Sequence, residues 1–485
     1  MTMPRFHAWL LSPVFLLSLS DCAVGPDYIP PHVDVPPAWH EMPVSKVTSV
    51  AKGQTDIWWE DFDDQQLTDL IEKALANNQN LAISAERIVE VRGLRESAFG
   101  SLFPQIGVGA EASRGDPGVS TDNNIISFYQ GAFNASWEID LFGGNRRKLE
   151  AEDAATGAVE AAYHDALLSL GAEVAREYTL LRQFQAQREV AQQTADIQRH
   201  LYEITEDHYK GGLVSTLDVA QADTLYKTTS ARIPDFDRQI TASSYRLSVL
   251  LGENPGGLAY IVSHSGPIPS AQKLPVLDAP ADIMRQRPDV AEAERSLAAA
   301  TALQGVAVSA LYPKISLSAL FGTQYGSLPV FKYAATHQVW NLGADITMPI
   351  LNFGTLEGQI NAADARQVQA LHHYRQTVIE ALADVETDLS NLSKESLRDQ
   401  ALEEAGKSAD HAVEVARDRY RNGLSDFTAV LQAEQQHFAV QIDLIASQST
   451  VTQDVIALHK ALGDNPASYI LDYHSPRKTP SAKGE

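Results

Sequence analysis

Few side chains in this sequence are spaced for chemistry. Its 485 residues include 14 histidines, one cysteine and 5 methionines. His372 and His373 form the one adjacent histidine pair, on a helical pattern with no carboxylate at ligand spacing. A solvated surface pair explains them better than a metal site. A His-Glu-x-x-His helix, a phosphate loop and a Gly-x-Ser-x-Gly turn are all missing from the sequence. Gly143-Gly144-Asn145-Arg146 has the look of an anion nest, but a glycine turn from strand to helix accounts for it. So few methionines do not make a thioether copper path. The expectation is a protein that is not an enzyme and carries no cofactor and no resident metal. A formal charge of −24 argues against nucleic acid as partner, because phosphate binding needs a basic surface.

Cys22 is the residue with a chemical role to fill. Arg5 precedes an apolar run from about Ala8 to Leu19, which Asp21 closes. The run is shorter than the ~20 residues that span a bilayer, so 1–21 reads as a signal peptide. One cysteine excludes an internal disulfide and a multi-cysteine metal site. Its place directly after the run makes it the lipidation residue, and two or more acyl chains would hold it in lipid. Asp21 stands where the usual lipobox has Gly or Ala, and the alternative is an ordinary secreted start.

The elements behind these residues are written twice. Phe142-Gly143 matches Phe353-Gly354 at a spacing of 211 residues, and Tyr163 with Tyr374, Tyr209 with Tyr420, Gly212 with Gly423, and Leu251-Gly252 with Leu462-Gly463 keep it. An unbroken register of this length is an internal duplication. Proline is absent between Pro117 and Pro234 and between Pro349 and Pro466. Each copy can therefore hold a helix of unusual length, on the order of 100 Å at ~1.5 Å per residue. The expected helices cover about 143–208 and 354–420. Each runs to a glycine turn, at Gly212 and Gly423, and a second helix returns over about 213–251 and 424–462. Many alanines, such as Ala151, Ala154, Ala155 and Ala158, allow close approach and a tube of helices.

Before each long helix the period switches to two. Strands are expected at about 104–114, 127–141, 313–325 and 337–349, with a helix from about 281 to 311 ahead of the third. One face carries Val108, Phe133, Phe321 and Trp340; the other carries Gln130, Asn134, Asn341 and Asp345. Such a split fits lipid on one side and a wet lumen on the other. Four strands cannot close a transmembrane barrel, and open edges are untenable in lipid. Two chains would supply eight strands and three would supply twelve; a helical tube wide enough to matter favours three. Around these elements lie an arm over 22–66 that is proline-rich in its first part, a connector at 255–280 and a tail at 466–485. The two repeats occupy 67–254 and 281–465. Trp58, Trp59 and Phe62 read as packing anchors.

These residues carry a resemblance. Cys22-Ala23-Val24-Gly25-Pro26-Asp27-Tyr28, Trp58-Trp59, Leu102-Phe103-Pro104, Ser136-Trp137-Glu138-Ile139-Asp140-Leu141-Phe142-Gly143, Arg287-Pro288-Asp289-Val290 and Lys460-Ala461-Leu462-Gly463 are the marks. The chain resembles the TolC-like outer-membrane factors, in the lipoprotein branch that serves tripartite efflux pumps of the RND type. The resemblance implies a mixed α+β membrane protein in which long antiparallel helical hairpins form a periplasmic tunnel. It implies a homotrimer with four strands per chain in a twelve-stranded transmembrane β-barrel. It also implies a passive exit duct for drugs or other small solutes, with a periplasmic adaptor (membrane fusion) protein and an inner-membrane RND-type pump as partners. A duct for type I-like protein secretion and a non-pore periplasmic coiled-coil scaffold are the alternatives.

The resemblance also implies a periplasmic gate beside the tip turns. Asp218 and Tyr420 match a carboxylate and a phenol that hydrogen-bond in the family. The carboxylate positions of the second repeat fall on Ala429 and Gln432, with Asp426 the nearest acid, and an arginine of the family's latch falls on Ser425.

Overall fold

The computed structural model describes residues 23–41, 57–115, 126–271, 274–275, 277–326 and 335–464. They divide into two compact units, the described residues within Met1–His32, Glu86–Glu160 and Glu292–Gln376 forming the first and those within Val33–Ala85, Ala161–Ala291 and Thr377–Glu485 the second. Two helices of 67 residues belong partly to each, α3 (Gly144–Lys210) and α9 (Thr355–Arg421). Their alanine-rich, proline-free sequence lets the i→i−4 ladder run without a break.

The first unit is built on an antiparallel sheet in the order β1-β2-β3-β4: β1 (Gln105–Gly115), β2 (Ile126–Ile139), β3 (Lys314–Gly326) and β4 (Ala335–Thr347). Alternation places every second residue on one face, and the register aligns those faces across the sheet. Val108 lies opposite Phe133, Phe133 opposite Phe321, and Phe321 opposite Trp340. Trp137, Leu317 and Ala344 form the same kind of row nearer the other end. The opposite face carries Glu111, Gln130, Gln324 and His337 in one row, and Glu138, Ser316 and Asp345 in another. The apolar row is open in the single chain, with Val108 and Trp340 each 76% exposed. So continuous an apolar surface has to meet lipid or a partner.

The described amino-terminal residues of this unit, 23–32, form no regular element and are fastened by side chains. Arg147, almost fully buried, reaches Asp27 at 2.5 Å and Glu150 at 2.7 Å. Tyr28 donates to the Glu294 carboxylate, and the Arg295 guanidinium lies 5.6 Å from its ring centre.

The second unit is helical. It holds α1 (Gln65–Asn77), the start of α2 (Gln79–Gly100), α4 (Thr216–Ser230), α5 (Ile233–Leu250), α6 (Ala259–Ser263), α7 (Pro280–Gln286) and α10 (Phe427–Leu462). The helix α8 (Pro288–Ser309) begins here and continues into the first unit. Trp58, Trp59 and Phe62 sit in a short 3₁₀ turn and are buried, with Trp58 stacked on His459 at 5.4 Å. They are packing anchors, as their clustering implied. The arm is pinned here too: Trp39 Nε1 donates to Asp278 O (2.9 Å), and the His40 and Glu41 amides donate to Glu386.

Two expected helices are interrupted, both for reasons written in the chain. The return expected over 213–251 is two helices, α4 and α5, separated at Ala231 and Arg232. Pro234 has no amide hydrogen to give, and its ring crowds the carbonyl four residues back. The second repeat has Ile445 at that position and α10 is continuous. The helix expected from about 281 to 311 is likewise split by Pro288, which leaves Arg287 extended.

Candidate functional site

The described site is the pair of turns where the long helices reverse. α3 ends in Gly211-Gly212 and α9 in Asn422-Gly423. Gly212 and Gly423 have φ of +72° and +69°, a region that costs an L-residue about 1–2 kcal/mol. The left-handed step lets Leu213 N donate to His208 O (2.9 Å) and Leu424 N to Arg419 O (2.8 Å). Both are the six-to-one bonds that close a helix end. Leu213 and Leu424 then stand 73% and 69% exposed.

The helices that leave the turns are capped by residues 211 apart. Ser215 caps α4: its Oγ accepts from Asp218 N (3.3 Å), while Asp218 Oδ2 accepts from Ser215 N (2.8 Å) and Ser215 Oγ (2.7 Å). This is a reciprocal capping box. Asp426 caps α10 by accepting from Ala429 N (3.2 Å). Ala429 is the counterpart of Asp218, so the second cap has no return bond.

Beneath the turns Ala222, Leu225, Phe427, Val430 and Leu431 form a small core. Tyr420 packs on it, its ring 5.3 Å from Phe427. The phenol–carboxylate bond implied by the resemblance is not made here. The Tyr420 hydroxyl is buried without a hydrogen-bond partner, and the Asp218 carboxylate is committed to its own helix cap. Burial, and then the charge of Asp218, push the phenol above its usual range. The two residues therefore sit in each other's field without a bond. Gln432 is exposed on α10, and Asp426 serves as a cap. Ser425 Oγ and Gln221 Oε1 are also buried without partners.

One pair near the turns was not anticipated. Arg417 on α9 grips Glu434 on α10 through Nε at 2.7 Å and a terminal nitrogen at 2.5 Å, and Glu434 is 2% exposed. Its signal in the sequence is a lone acid on the inward apolar face of α10, beside Val430 and Leu431 and ahead of Val440. Cys22 and the 466–485 tail lie outside the described residues. No helix among the described residues is long and apolar enough to cross a membrane.

A model of outer membrane efflux proteins matches residues 70–253 and 279–464. The chain belongs to the outer membrane efflux protein family. The carboxyl-terminal limits of the two matched segments are themselves 211 residues apart, the spacing of the duplication. Among curated relatives, nodulation protein T of Rhizobium leguminosarum bv. trifolii is 28% identical over 461 residues, covering 94% of this chain and 98% of its own. The cation efflux system protein CusC of Escherichia coli O6:H1 is 29% identical over 450 residues, covering 92% and 96%. The solved outer-membrane channel OprN is 30% identical, with a TM-score of 0.84 over 92% of this chain and all of that one. The mixed α+β fold with long helical hairpins and a membrane sheet is thus the fold of this family of export channels. The chain is an outer-membrane efflux component, and the family consists of transport components.

Proposed function

We propose that three copies of this chain form a passive exit duct, with their sheets joined in one twelve-stranded barrel and their helical hairpins forming a periplasmic tunnel. The observation that carries this reading is the sheet: four strands, one apolar face, and two unpaired edges that only another chain can satisfy in lipid. The cargo is small solutes, handed over by a periplasmic adaptor protein and an inner-membrane pump of the RND type. The turns at Gly212 and Gly423 are the end at which the adaptor docks, through the exposed Leu213 and Leu424. The same end holds the duct shut at rest, with Asp218, Tyr420, Asp426 and Gln432 around it. Cleaved Cys22 carries the lipid that adds an anchor to the barrel. Imaging of the detergent-purified particle tests the assembly: threefold symmetry with a barrel and a tube is expected, and a twofold or monomeric particle refutes it. Planar-bilayer recording tests the duct, since a scaffold without a pore gives no discrete conductance. Mass analysis of the mature amino terminus tests the anchor, which requires a diacylglyceryl group on Cys22.

A further inference from the structure

One carboxylate of the second unit lines a largely apolar cleft and has an oxygen with no hydrogen-bond partner. Glu395, Asp399 and Glu403 stand four residues apart on α9, so they form one stripe. Glu395 accepts from Arg398 (2.7 Å) and from Ser447 Oγ (2.6 Å), and Glu403 accepts from Lys407 Nζ (2.7 Å). Asp399 between them is different: its Oδ1 is buried with no hydrogen bond. Buried polar atoms in native proteins are nearly always paired, and a bare carboxylate oxygen is among the costliest exceptions. Burial, followed by the charges of Glu403 and Glu395, pushes this carboxyl up, a shift that a bound cation would reverse.

Asp399 lines a cavity of about 740 Å³ whose walls include Leu392, Leu397, Ile268, Val451 and Val455. That volume lies within the ~300–1,000 Å³ typical of small-molecule sites, which are mostly apolar with a few placed polar groups. A hydrated metal ion does not suit such walls, and no cluster of three or more metal-ligating side chains occurs among the described residues. A neutral apolar molecule would leave the Asp399 oxygen unpaired. We propose that this cleft binds an amphiphilic organic cation, its charged centre against Asp399 and its apolar body against Leu392, Ile268 and Val451. The proposal stands apart from the exit-duct reading, since a chain that conducts nothing still has this cleft.

The test is fluorescence anisotropy of rhodamine 6G, a lipophilic cation, on the full chain in nanodiscs, with empty nanodiscs subtracted. The anionic dye fluorescein is the charge control. Saturable micromolar binding of the cation is expected, with affinity falling at least tenfold in Asp399→Asn. Val451→Phe, which fills the cleft and leaves the carboxylate in place, should have the same effect. Asp388→Asn, a change outside the cleft, should leave affinity within twofold of wild type. Binding that survives both cleft variants within twofold overturns the proposal, as does equal binding of fluorescein or no saturable binding to the wild-type chain.

Discussion

At the scale of single residues, the consequential groups are charges held away from water. Arg417 and Glu434 show what the pairing does for the hairpin of α9 and α10. Removing Arg417 leaves Glu434 charged and buried, whereas removing both partners leaves an apolar contact. Arg417 is itself one-third exposed, which screens the pair. Arg417→Ala should therefore cost about 1–3 kcal/mol, read as a lower thermal midpoint by circular dichroism. Arg417→Met with Glu434→Leu should recover most of that loss. A second group of acids sets a pH dependence. Asp388 and Asp454 are both pushed up to about 6, chiefly by burial, then by Asp384 for the first and by Glu395 and Asp388 for the second. Arg287 and Lys460 oppose the shift at Asp388 without cancelling it. In the unfolded chain these carboxyls titrate near 3.8, so the folded form binds the extra protons. Their contribution is present in full below about pH 4 and is lost as the pH rises through about 6. The thermal midpoint should fall between pH 5 and pH 7.5, and Asp388→Asn should flatten that slope and raise the midpoint at pH 7.5. An identical slope in the variant would show that Asp388 does not set it. The shifts at Asp388 and Asp454 were not legible in the sequence, where these two acids look like ordinary members of polar helix faces.

At the scale of elements, the duplication made the long helices and their turns readable. A spacing of 211 residues locates both glycine turns in the sequence. What it could not show was which glycines are crowded. Gly212 and Gly252 have nearly the same backbone, φ +72° and +68°. A Cβ at Gly212 meets open space, while one at Gly252 would lie 2.4 Å from Asn77 O. Gly212→Ala should cost about 1–2 kcal/mol, the backbone strain alone. Gly252→Ala should cost more than about 4 kcal/mol, in the range of severe core disruption. Yields of folded protein in detergent check this, and equal yields would contradict it. The arrangement of side chains at the turns was legible only in part. Resemblance pointed to Asp218 and Tyr420, and the chain does bring them into each other's field. Ser215, three residues before Asp218, is the signature of a capping box, and that local bond takes the carboxylate.

At the scale of the whole molecule, a one-residue slip in register would turn every lipid-facing side chain inward. The alternation read from the sequence agrees with the pairing along all four strands, because period-two patterning and register follow from the same pleat. Ala344 shares its row with Trp137 and Leu317, while Asn341 is on the other face, beside Leu320 and Asn134. Ala344→Arg should cost about 2–4 kcal/mol near the midplane, and Asn341→Arg should be nearly neutral in a wet lumen. Heat-modifiable migration of the membrane fraction reads the difference, and equal assembly of the two would mean the faces are misassigned.

The break at Pro234 gives the two repeats different mechanical characters. One return stroke is a pair of short rods with a joint at residues 231–232; the other is a single stiff rod of 36 residues. A bending load on the first can be taken up at the joint, with few backbone bonds disturbed. The same load on the second has to be shared along the rod or break its ladder. Amide exchange should therefore be fast around residues 231–235 and slow at the equivalent residues 442–446. A duplication that began with two equal halves has become a pair of unequal springs.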